Sequence, residues 1–426
     1  MIGSATLSKL LGLIVAILLV AGLSRPAHAV VITQYFPAAP EGQPRPQAQS
    51  GWRISYDILP PGTHGYGRSA VFQFTSIEFM RGYLPNGEPD WIKVLNNLAM
   101  VEIYVPYNDG TFVLDMHGRS HYGVPVLEPN PFVRARPDFL PPYGIISGKI
   151  EPDGYVLGEV VDDGLRFMDN RQGDTVRRGQ MLWLWTTLKA ANYRYVLKYG
   201  FSDDGTISVR AGGTAENLYD ERERPRNKVV HLHIVAWRME FDLGAADMNM
   251  INIVERHPDL SDGGATFSVR PFNNGLEGGE KWNPEAFTML EVMNESTLNR
   301  HVPPRHVGYG LMPTRTGSAR TTEPYTNFDF WVTRRTPTDP KRRALVPELK
   351  FIDLPENTAA PEPIAHKRDV VWYSSAVNHM PRTEDFGPHG YHRREGVAIA
   401  MWTGFDLIPR DLWDKTPLLQ REAPPP

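Results

Sequence analysis

Two histidines stand two residues apart in an apolar run, VVHLHIVAW, at residues 229–237. On a β-strand, residues i and i+2 point to the same face, so His231 and His233 would project side by side, about 7 Å apart along the strand. Two imidazoles at that spacing can converge on one metal ion that lies about 2 Å from each nitrogen. The alternative is a pair of ordinary hydrogen-bonded strand histidines. The pair therefore suggests a metal site without deciding it.

A metal site of this kind needs a third ligand. His379, in YSSAVNHMPRTED, follows a predicted strand and is the first candidate. The other candidates are His117, His121, His257, His301, His306, His389 and His392. Most of them lie in polar, turn-like contexts that favour solvated side chains. Three neutral imidazoles without a thiolate suit copper(II) or zinc, and a blue-copper centre is excluded because the sequence has no cysteine. Composition and spacing alone therefore predict a candidate three-histidine site and do not identify its metal.

The segments that would position these residues have the composition of β-strands. From Gly51 onward, short stretches rich in Val, Ile, Tyr, Phe and Trp alternate with Gly, Pro, Asn and Asp turns. NYRYVLKYGF, SDDG and TISVRA, for example, predict a strand, a turn and a second strand. The stretch PDWIKVLNNLA, residues 89–99, is the one segment that we predict to be a helix, with a strand as the alternative at its end. We therefore predict one all-β domain over residues 51–418, a large sandwich of two twisted β-sheets.

Composition excludes several classes of function. The sequence of 426 residues is 41% hydrophobic, which is enough for a large core. A net charge of −4 and the lack of a long basic run argue against nucleic acid as a partner. The absence of cysteine excludes thiol nucleophiles and thiolate metal sites, and it means that packing rather than disulfides must hold the fold.

The first 29 residues have the order of a secretory signal peptide. Lys9 precedes the apolar run LLGLIVAILLVAGL, and the small-residue site AHA follows. The run is too short for a comfortable membrane span, although an uncleaved anchor is the alternative. We therefore predict cleavage after Ala29 and a secreted or periplasmic protein. Residues 30–50 are predicted to be a Pro-rich linker, and residues 419–426 a flexible tail.

Several stretches together resemble the catalytic domain of the copper amine oxidases, the topaquinone enzymes. HLHIVAWRMEFDLG is similar to the family's His-x-His strand, and NHMPRTEDF to the segment of its third copper histidine. In AANYRYVLKYGFSDDGTISVRAGGT, an Asn-Tyr pair and the hairpin after it resemble the segment of the family's cofactor tyrosine. MVEIYVPYNDGTFVLDMHG is similar to the segment of the catalytic aspartate, and GYGLMP and NFDFWVT add further matches. Order and approximate spacing agree from about Gly51 to Leu418.

The resemblance implies a metal centre and a cofactor made from the chain itself. His231, His233 and His379 would bind copper. Tyr193 would be oxidised in place to topaquinone by the copper and dioxygen, and Asn192 would help to orient its ring. Without the resemblance, Tyr193 would be assigned to the core of a strand.

The resemblance also implies the reaction. Asp115 would be the catalytic base, and Tyr107 would hydrogen-bond a quinone oxygen. The protein would be a secreted copper- and topaquinone-dependent oxidase, usually a homodimer in this family. It would convert a primary amine, water and dioxygen to an aldehyde, ammonia and hydrogen peroxide by ping-pong Schiff-base chemistry. Judged from its neighbours alone, Asp115 would be a strand-end or turn residue.

A second metal site is implied near the copper strand, where the family often carries a calcium-like ion. Glu240, Asp242 and Asp369 stand at the matching positions, with the carbonyls of Phe241 and Val370. Oxygen ligands suit a hard cation. The alternative is a solvated acidic face.

The sequence departs from the family pattern at three places. Lys189 stands where the family has Thr, Arg194 stands where it has Asp or Glu, and Met-His-Gly follows Asp115 in place of Gly-Glu-x-Gly. These changes keep open a non-catalytic copper-binding extracellular β-sandwich relative, and a structural extracellular domain without metal. Tyr193 separates the readings, because a binding module does not need a tyrosine between copper and a carboxylate.

Overall fold

The structure is a computed structural model, and it describes most of the predicted β domain. The described residues are 28–36, 50–58, 72–107, 110, 112–116, 128–129, 157–169, 175–190, 193–215, 231–258, 265–314, 320–335, 361–379 and 401–413. No α-helix occurs in these ranges, and three short 3₁₀ helices do: Ala246–Met248, Phe272–Gly275 and Pro324–Asn327.

The strands of the described residues form two sheets. The first contains β1 (His28–Phe36), β2 (Ser50–Ile58), β3 (Phe72–Tyr83), β4 (Pro89–Pro106), β5 (Phe112–Met116), β11 (His231–Phe241), β14 (Gly278–Glu280), β17 (Phe330–Arg334) and β18 (Asp369–His379). The second contains β6 (Glu128–Pro129), β7 (Leu157–Asp169), β8 (Thr175–Ala190), β9 (Tyr193–Ser202), β10 (Ile207–Ala215), β12 (Asn249–Pro258), β13 (Ala265–Pro271), β15 (Met289–Leu298), β16 (His306–Pro313) and β19 (Met401–Arg410).

Both sheets are antiparallel, and together they confirm the predicted β-sandwich. The first runs β1-β2-β3-β4-β11-β18-β17-β14, with β5 paired to β4. The second runs β13-β12-β15-β16-β19-β10-β9-β8-β6, with β7 paired to β8. β11 thus lies inside the first sheet between β4 and β18, and β9 lies inside the second between β8 and β10.

The main core lies between the inner faces of the two sheets. β9 alternates as an antiparallel strand should, and its odd-numbered residues are buried: Tyr193, Tyr195, Leu197, Tyr199 and Phe201. On β11, Val235, Trp237 and Met239 belong to the same core cluster. The Tyr199 ring meets the Trp237 ring edge-on, with 6.1 Å between the ring centres. Aromatic packing of this kind fixes β9 against β11, the two strands that carry the candidate site.

The helix predicted for residues 89–99 is wrong, because this segment is the first part of β4. Ile92 and Val94 alternate as in a strand, but Val94 and Leu95 are both buried, which disturbs the alternation. The pairing with β3 shifts register at this point, and such a bulge changes which face the following residues take. The resulting spacing of buried residues is close to the period of a helix.

The predicted linker is wrong for residues 30–36, which belong to β1 and pair with β2 in a regular antiparallel register. The sequence VVITQYF is rich in β-branched and aromatic residues, which favour a strand over a linker. Residues 1–27, 37–49 and 419–426 lie outside the described residues, so the signal peptide, its cleavage after Ala29 and the tail stay predictions. Across the described ranges, no helix has the length and apolar character of a membrane span.

Candidate metal centre between the two sheets

The two histidines of β11 point inward, as the strand period predicts. His231 and His233 are both buried on the face that carries the core residue Val235. His231 pairs directly with His379 of the neighbouring strand β18, which places the third imidazole beside the first. His379 is buried as well. Two neighbouring histidines of β11 and a third, 148 residues after His231, therefore form one cluster.

The nitrogens of the three imidazoles are close enough to share one ion. His231 Nε2 and His379 Nδ1 are 3.2 Å apart, a separation that fits two ligands bound at about 2 Å to the same metal. One nitrogen from each histidine falls within a set whose members are all within 4.8 Å of one another. The donor set therefore fits copper(II) or zinc.

His233 supplies a separate sign of a ligand site. Its Nδ1 lies 2.8 Å from Tyr195 Oη, whereas its Nε2 is buried without a hydrogen-bond partner. Buried polar atoms nearly always have a partner, and this orphaned imidazole nitrogen in a histidine cluster is an atom that a bound metal ion would satisfy.

Electrostatics keep His233 in the form that binds metal. Burial lowers the pKa of His233 well below its ordinary value, and the neighbouring His231 and His379 lower it further. The imidazole is therefore neutral near pH 7. A histidine that binds a metal must be neutral, because the protonated ring has no lone pair to offer.

Tyr193 is the residue that joins the second sheet to this cluster. It is the first residue of β9 and is held in register by Ala190 of β8 and Ala215 of β10. Its phenol oxygen lies 2.5 Å from His231 Nε2 and 3.1 Å from His379 Nδ1. Its ring centre is 4.6 Å from that of His233. A buried tyrosine oxygen is thus within reach of the nitrogens that would bind the ion.

The remaining predicted catalytic residues are described only in part. Tyr107 is half-buried, forms a bridge to His231, and packs its ring 4.7 Å from the His231 ring. Asp115 lies in β5 between Leu114 and Met116, which pair with consecutive residues of β4, so it is the extra residue of a β-bulge. Bulges often lie next to active sites and redirect a side chain. The Asp115 side chain and the whole of Asn192 lie outside the described residues.

The predicted second metal site stays a prediction. In the described part of the chain, the histidine cluster is the one group of three or more His, Cys, Asp or Glu side chains with donor atoms close enough to share an ion. Asp242 Oδ2 instead accepts a hydrogen bond from Asn96, at 2.8 Å. The Phe241 carbonyl accepts one from the Asn249 amide, at 3.2 Å.

Arginines take the place that a cation would have beside the acidic residues. Glu240 is buried and forms ion pairs with Arg368 at 2.6 Å, Arg335 at 3.0 Å and Arg238 at 3.6 Å. These guanidinium groups satisfy its charge without metal.

The remaining predicted ligands of the second site lie on β18. Val370 pairs with Thr333 of β17 inside the sheet. Its neighbour Asp369 is buried, and desolvation raises the pKa of its carboxyl group to about 8.

The described candidate histidines outside the cluster are exposed, as their polar sequence contexts predict. His257 lies 2.8 Å from Ser268 Oγ, and His301 Nδ1 lies 3.2 Å from the Pro303 carbonyl oxygen. His306 is exposed. His117, His121, His389 and His392 lie outside the described residues.

Comparison with known proteins gives the same assignment as the geometry. The family described as "Copper amine oxidase, enzyme domain" matches residues 164–424, which include all three histidines and Tyr193. The chain belongs to the copper amine oxidase family. This copper amine oxidase chain is 21% identical to a primary amine oxidase of Klebsiella aerogenes over 282 residues, 58% of the chain and 36% of that protein. It is 22% identical to copper-containing amine oxidase gamma 2 of Arabidopsis thaliana over 423 residues, 88% of the chain and 57% of that protein.

Solved structures support the fold. A copper-containing benzylamine oxidase from Hansenula polymorpha superimposes with a TM-score of 0.62 at 18% identity, over 87% of this chain and 61% of that one. An Aspergillus nidulans amine oxidase gives a TM-score of 0.57 at 15% identity, over 91% of this chain and 56% of that one. The copper amine oxidase chain described here therefore spans between about a third and two thirds of the length of these relatives.

Sequence reasoning missed one residue of the centre, Tyr195. It follows Tyr193 by two positions, so both rings must lie on the same face of β9. The period that paired His231 with His233 on one strand could have paired these tyrosines on the other.

Proposed function

We propose that this chain is the catalytic part of a copper- and topaquinone-dependent primary amine oxidase. Its reaction would convert a primary amine, water and dioxygen to an aldehyde, ammonia and hydrogen peroxide. The observation that carries the proposal is the Tyr193 phenol oxygen, 2.5 Å from His231 Nε2 and 3.1 Å from His379 Nδ1. We further propose that the protein is exported through its N-terminal segment and acts as a homodimer.

The three histidines would hold the copper ion. His231 through Nε2, His379 through Nδ1 and His233 through its orphaned Nε2 offer three neutral nitrogen donors in a buried site. Copper and the quinone derived from Tyr193 would supply the electron-accepting chemistry that amino-acid side chains lack. The surrounding protein would contribute orientation and exclusion of water.

Tyr193 is placed to be activated by its neighbours. Its hydroxyl oxygen lies 2.5 Å from His231 Nε2, one of the nitrogens that would hold the ion, so the phenol would lie beside a cation that favours loss of its proton. The ring is 3% exposed, so bulk water does not compete for that oxygen. Loss of the proton makes the ring electron-rich, which oxidation of a tyrosine requires. The half-buried Tyr107, packed on His231, would orient the oxygen end of the same group.

The first experiment compares visible spectra of copper-loaded protein in air, before and after phenylhydrazine. For the wild type we expect a broad quinone band that shifts to an intense hydrazone band. Tyr193→Phe should bind copper but show neither band. Tyr199→Phe is the matched control, because Tyr199 is a buried tyrosine on the same face of β9 whose ring packs on Trp237 rather than on the histidines.

Two results would contradict the proposal in different ways. A colourless wild type that still binds copper would favour a non-catalytic copper-binding relative. Colour and amine turnover retained in Tyr193→Phe would remove Tyr193 as the source of the cofactor.

Asp115 is proposed as the base that takes a proton from the substrate carbon next to the amine. Its place in the β5 bulge, beside β4, which ends at Pro106 next to Tyr107, supports this role. Asp115→Asn should keep the quinone colour and slow amine oxidation by about 10²–10⁴-fold, the usual contribution of general-base catalysis. Stopped-flow measurement of quinone bleaching by amine isolates the step. Bleaching at the wild-type rate would assign the base to another residue.

A further inference from the structure

Tyr195 contacts both halves of the proposed centre. Its hydroxyl oxygen lies 2.8 Å from His233 Nδ1, and its ring stacks on the Tyr193 ring with 5.6 Å between ring centres and 23° between planes. The side chain is 1% exposed. One residue therefore contacts a metal ligand through its polar end and the cofactor tyrosine through its face.

The contact with His233 bears on metal binding because a neutral imidazole has two tautomers. With the proton on Nε2, His233 would have no lone pair to direct at the ion. With the proton on Nδ1, that N–H donates to Tyr195 Oη, and Nε2 keeps its lone pair. A hydrogen bond at the distal nitrogen is the usual way in which proteins fix a histidine ligand.

The packing around Tyr195 leaves its ring little freedom. Gly213 of β10 pairs with Tyr195 across the second sheet, and a Cβ at that position would lie 3.3 Å from the ring. Tyr193 covers one face of the ring, and the His233 ring centre lies 5.7 Å from that of Tyr195. The hydroxyl is thus held at a fixed point relative to β11.

We propose that Tyr195 is a positioning residue of the copper centre, which fixes the Nδ1–H tautomer and the ring plane of His233 and buttresses the face of Tyr193. The proposal rests on the proposed function in one respect, namely that the ion bound by His233 is copper. The plain alternative is that the Tyr195 hydroxyl donates to His233 Nδ1, in which case His233 carries its proton on Nε2 in the wild-type apoprotein.

The test uses Tyr195→Phe, which keeps the stacked ring and removes the hydroxyl, with Tyr199→Phe as the control. The first measurement is nitrogen NMR of histidine-labelled apoprotein, which reports the tautomer without metal or activity. We expect His233 to carry its proton on Nδ1 in the wild type and in Tyr199→Phe, and to be a mixture in Tyr195→Phe.

The second measurement is copper(II) affinity by competition with a chelator, together with the electron paramagnetic resonance spectrum of the bound ion. Loss of a hydrogen bond to a metal-binding histidine typically weakens metal binding by about 10–100-fold, and we expect that loss for Tyr195→Phe with altered spectral parameters. Gly213→Ala keeps the hydroxyl but crowds the ring, so it should weaken binding by a smaller factor. This variant also serves if Tyr195→Phe fails to fold.

The outcomes separate this proposal from the function on which it depends. A wild type without affinity for copper would overturn the proposed function, while the apoprotein tautomer would still decide the role of Tyr195. Copper binding in the wild type, with an unchanged tautomer, affinity and spectrum in Tyr195→Phe, would overturn the positioning role alone.

Discussion

The two ends of β11 carry buried polar clusters with opposite electrostatics. At the beginning of the strand, His231 and His233 meet His379 from the end of β18, and the buried donor atoms face one another. At its end, Glu240 is surrounded by arginine side chains, two of which come from segments about 95 and 128 residues away in sequence. One end of β11 thus carries a histidine cluster, and the other end carries a glutamate that is already ion-paired with arginines.

This difference shows which cluster can accept a cation. A buried carboxylate needs a counter-charge as soon as the chain folds, and at Glu240 the arginines provide it. Neutral imidazoles can remain buried without one, at the cost of an unsatisfied nitrogen such as His233 Nε2. Three carboxylates in the sequence are therefore weaker evidence for a cation site than three inward-facing histidines.

The largest expected effect is on copper binding. His233→Ala removes one of three donors, and we expect copper(II) affinity to fall by a factor on the order of a thousand, about 4 kcal/mol. Glu240→Gln at the other end of β11 should leave the affinity within about twofold, because the arginines rather than the ion contact this residue. Chelator competition measures both. Equal losses in the two variants would mean that the clusters are coupled and that the contrast between them is wrong.

An effect of intermediate size is expected on stability. Glu240→Gln leaves Arg238, Arg335 and Arg368 without their shared counter-charge. Removal of one partner from a fully buried pair typically costs 3–5 kcal/mol, but Arg335 and Arg368 are 34% and 46% exposed and can be solvated. We therefore expect the free energy of unfolding to fall by about 2 kcal/mol in urea titration.

Glu295→Gln provides the control for this stability measurement. It removes the partner of His366 in an exposed pair and should cost less than about 0.5 kcal/mol. A Glu240→Gln loss as small as that of the control would show that the arginines do not stabilise this end of the strand.

The contrast also explains what could be predicted from sequence. The common face of His231 and His233 follows from the strand period alone, and the structure confirms it. The distance between His379 and this pair, and between Tyr193 and both, depends on sheet order, which no local pattern contains. The sequence alone offered His379 as a candidate third ligand, and the resemblance to the copper amine oxidases assigned both His379 and Tyr193 to this site before the structure did.

The helix predicted for residues 89–99 is wrong for a reason that lies in long-range structure. The segment has helix-like spacing because a bulge against β3 breaks its alternation, and the bulge is a property of the pair of strands. The calcium-like site stays a prediction, and the partners of Glu240 depend on long-range structure too, since Arg335 and Arg368 approach it from other parts of the chain. The local sequence around Glu240 does not show those partners.

The smallest expected effect is the pH dependence that Asp369 contributes at the ion-paired end. Both of its carboxylate oxygens are buried without a hydrogen-bond partner, and burial raises its pKa from 3.8 to about 8, which Glu277 reinforces and Arg334 and Lys367 oppose. Between these pH values the folded state binds a proton that the unfolded state has lost, so stability must fall as pH rises through this window. Asp369→Asn removes the titration.

Unfolding in urea at pH 5 and at pH 8.5 tests this prediction. The full shift sets an upper limit, because each pKa unit corresponds to about 1.4 kcal/mol, and local relaxation will reduce it. We expect the wild type to lose about 1 kcal/mol more than Asp369→Asn between the two pH values. Equal losses would mean that the carboxylate finds a counter-charge when it ionises. If calcium at pH 8.5 then stabilised the wild type and not the variant, that counter-charge would be a bound cation, and the two ends of β11 would be two metal sites after all.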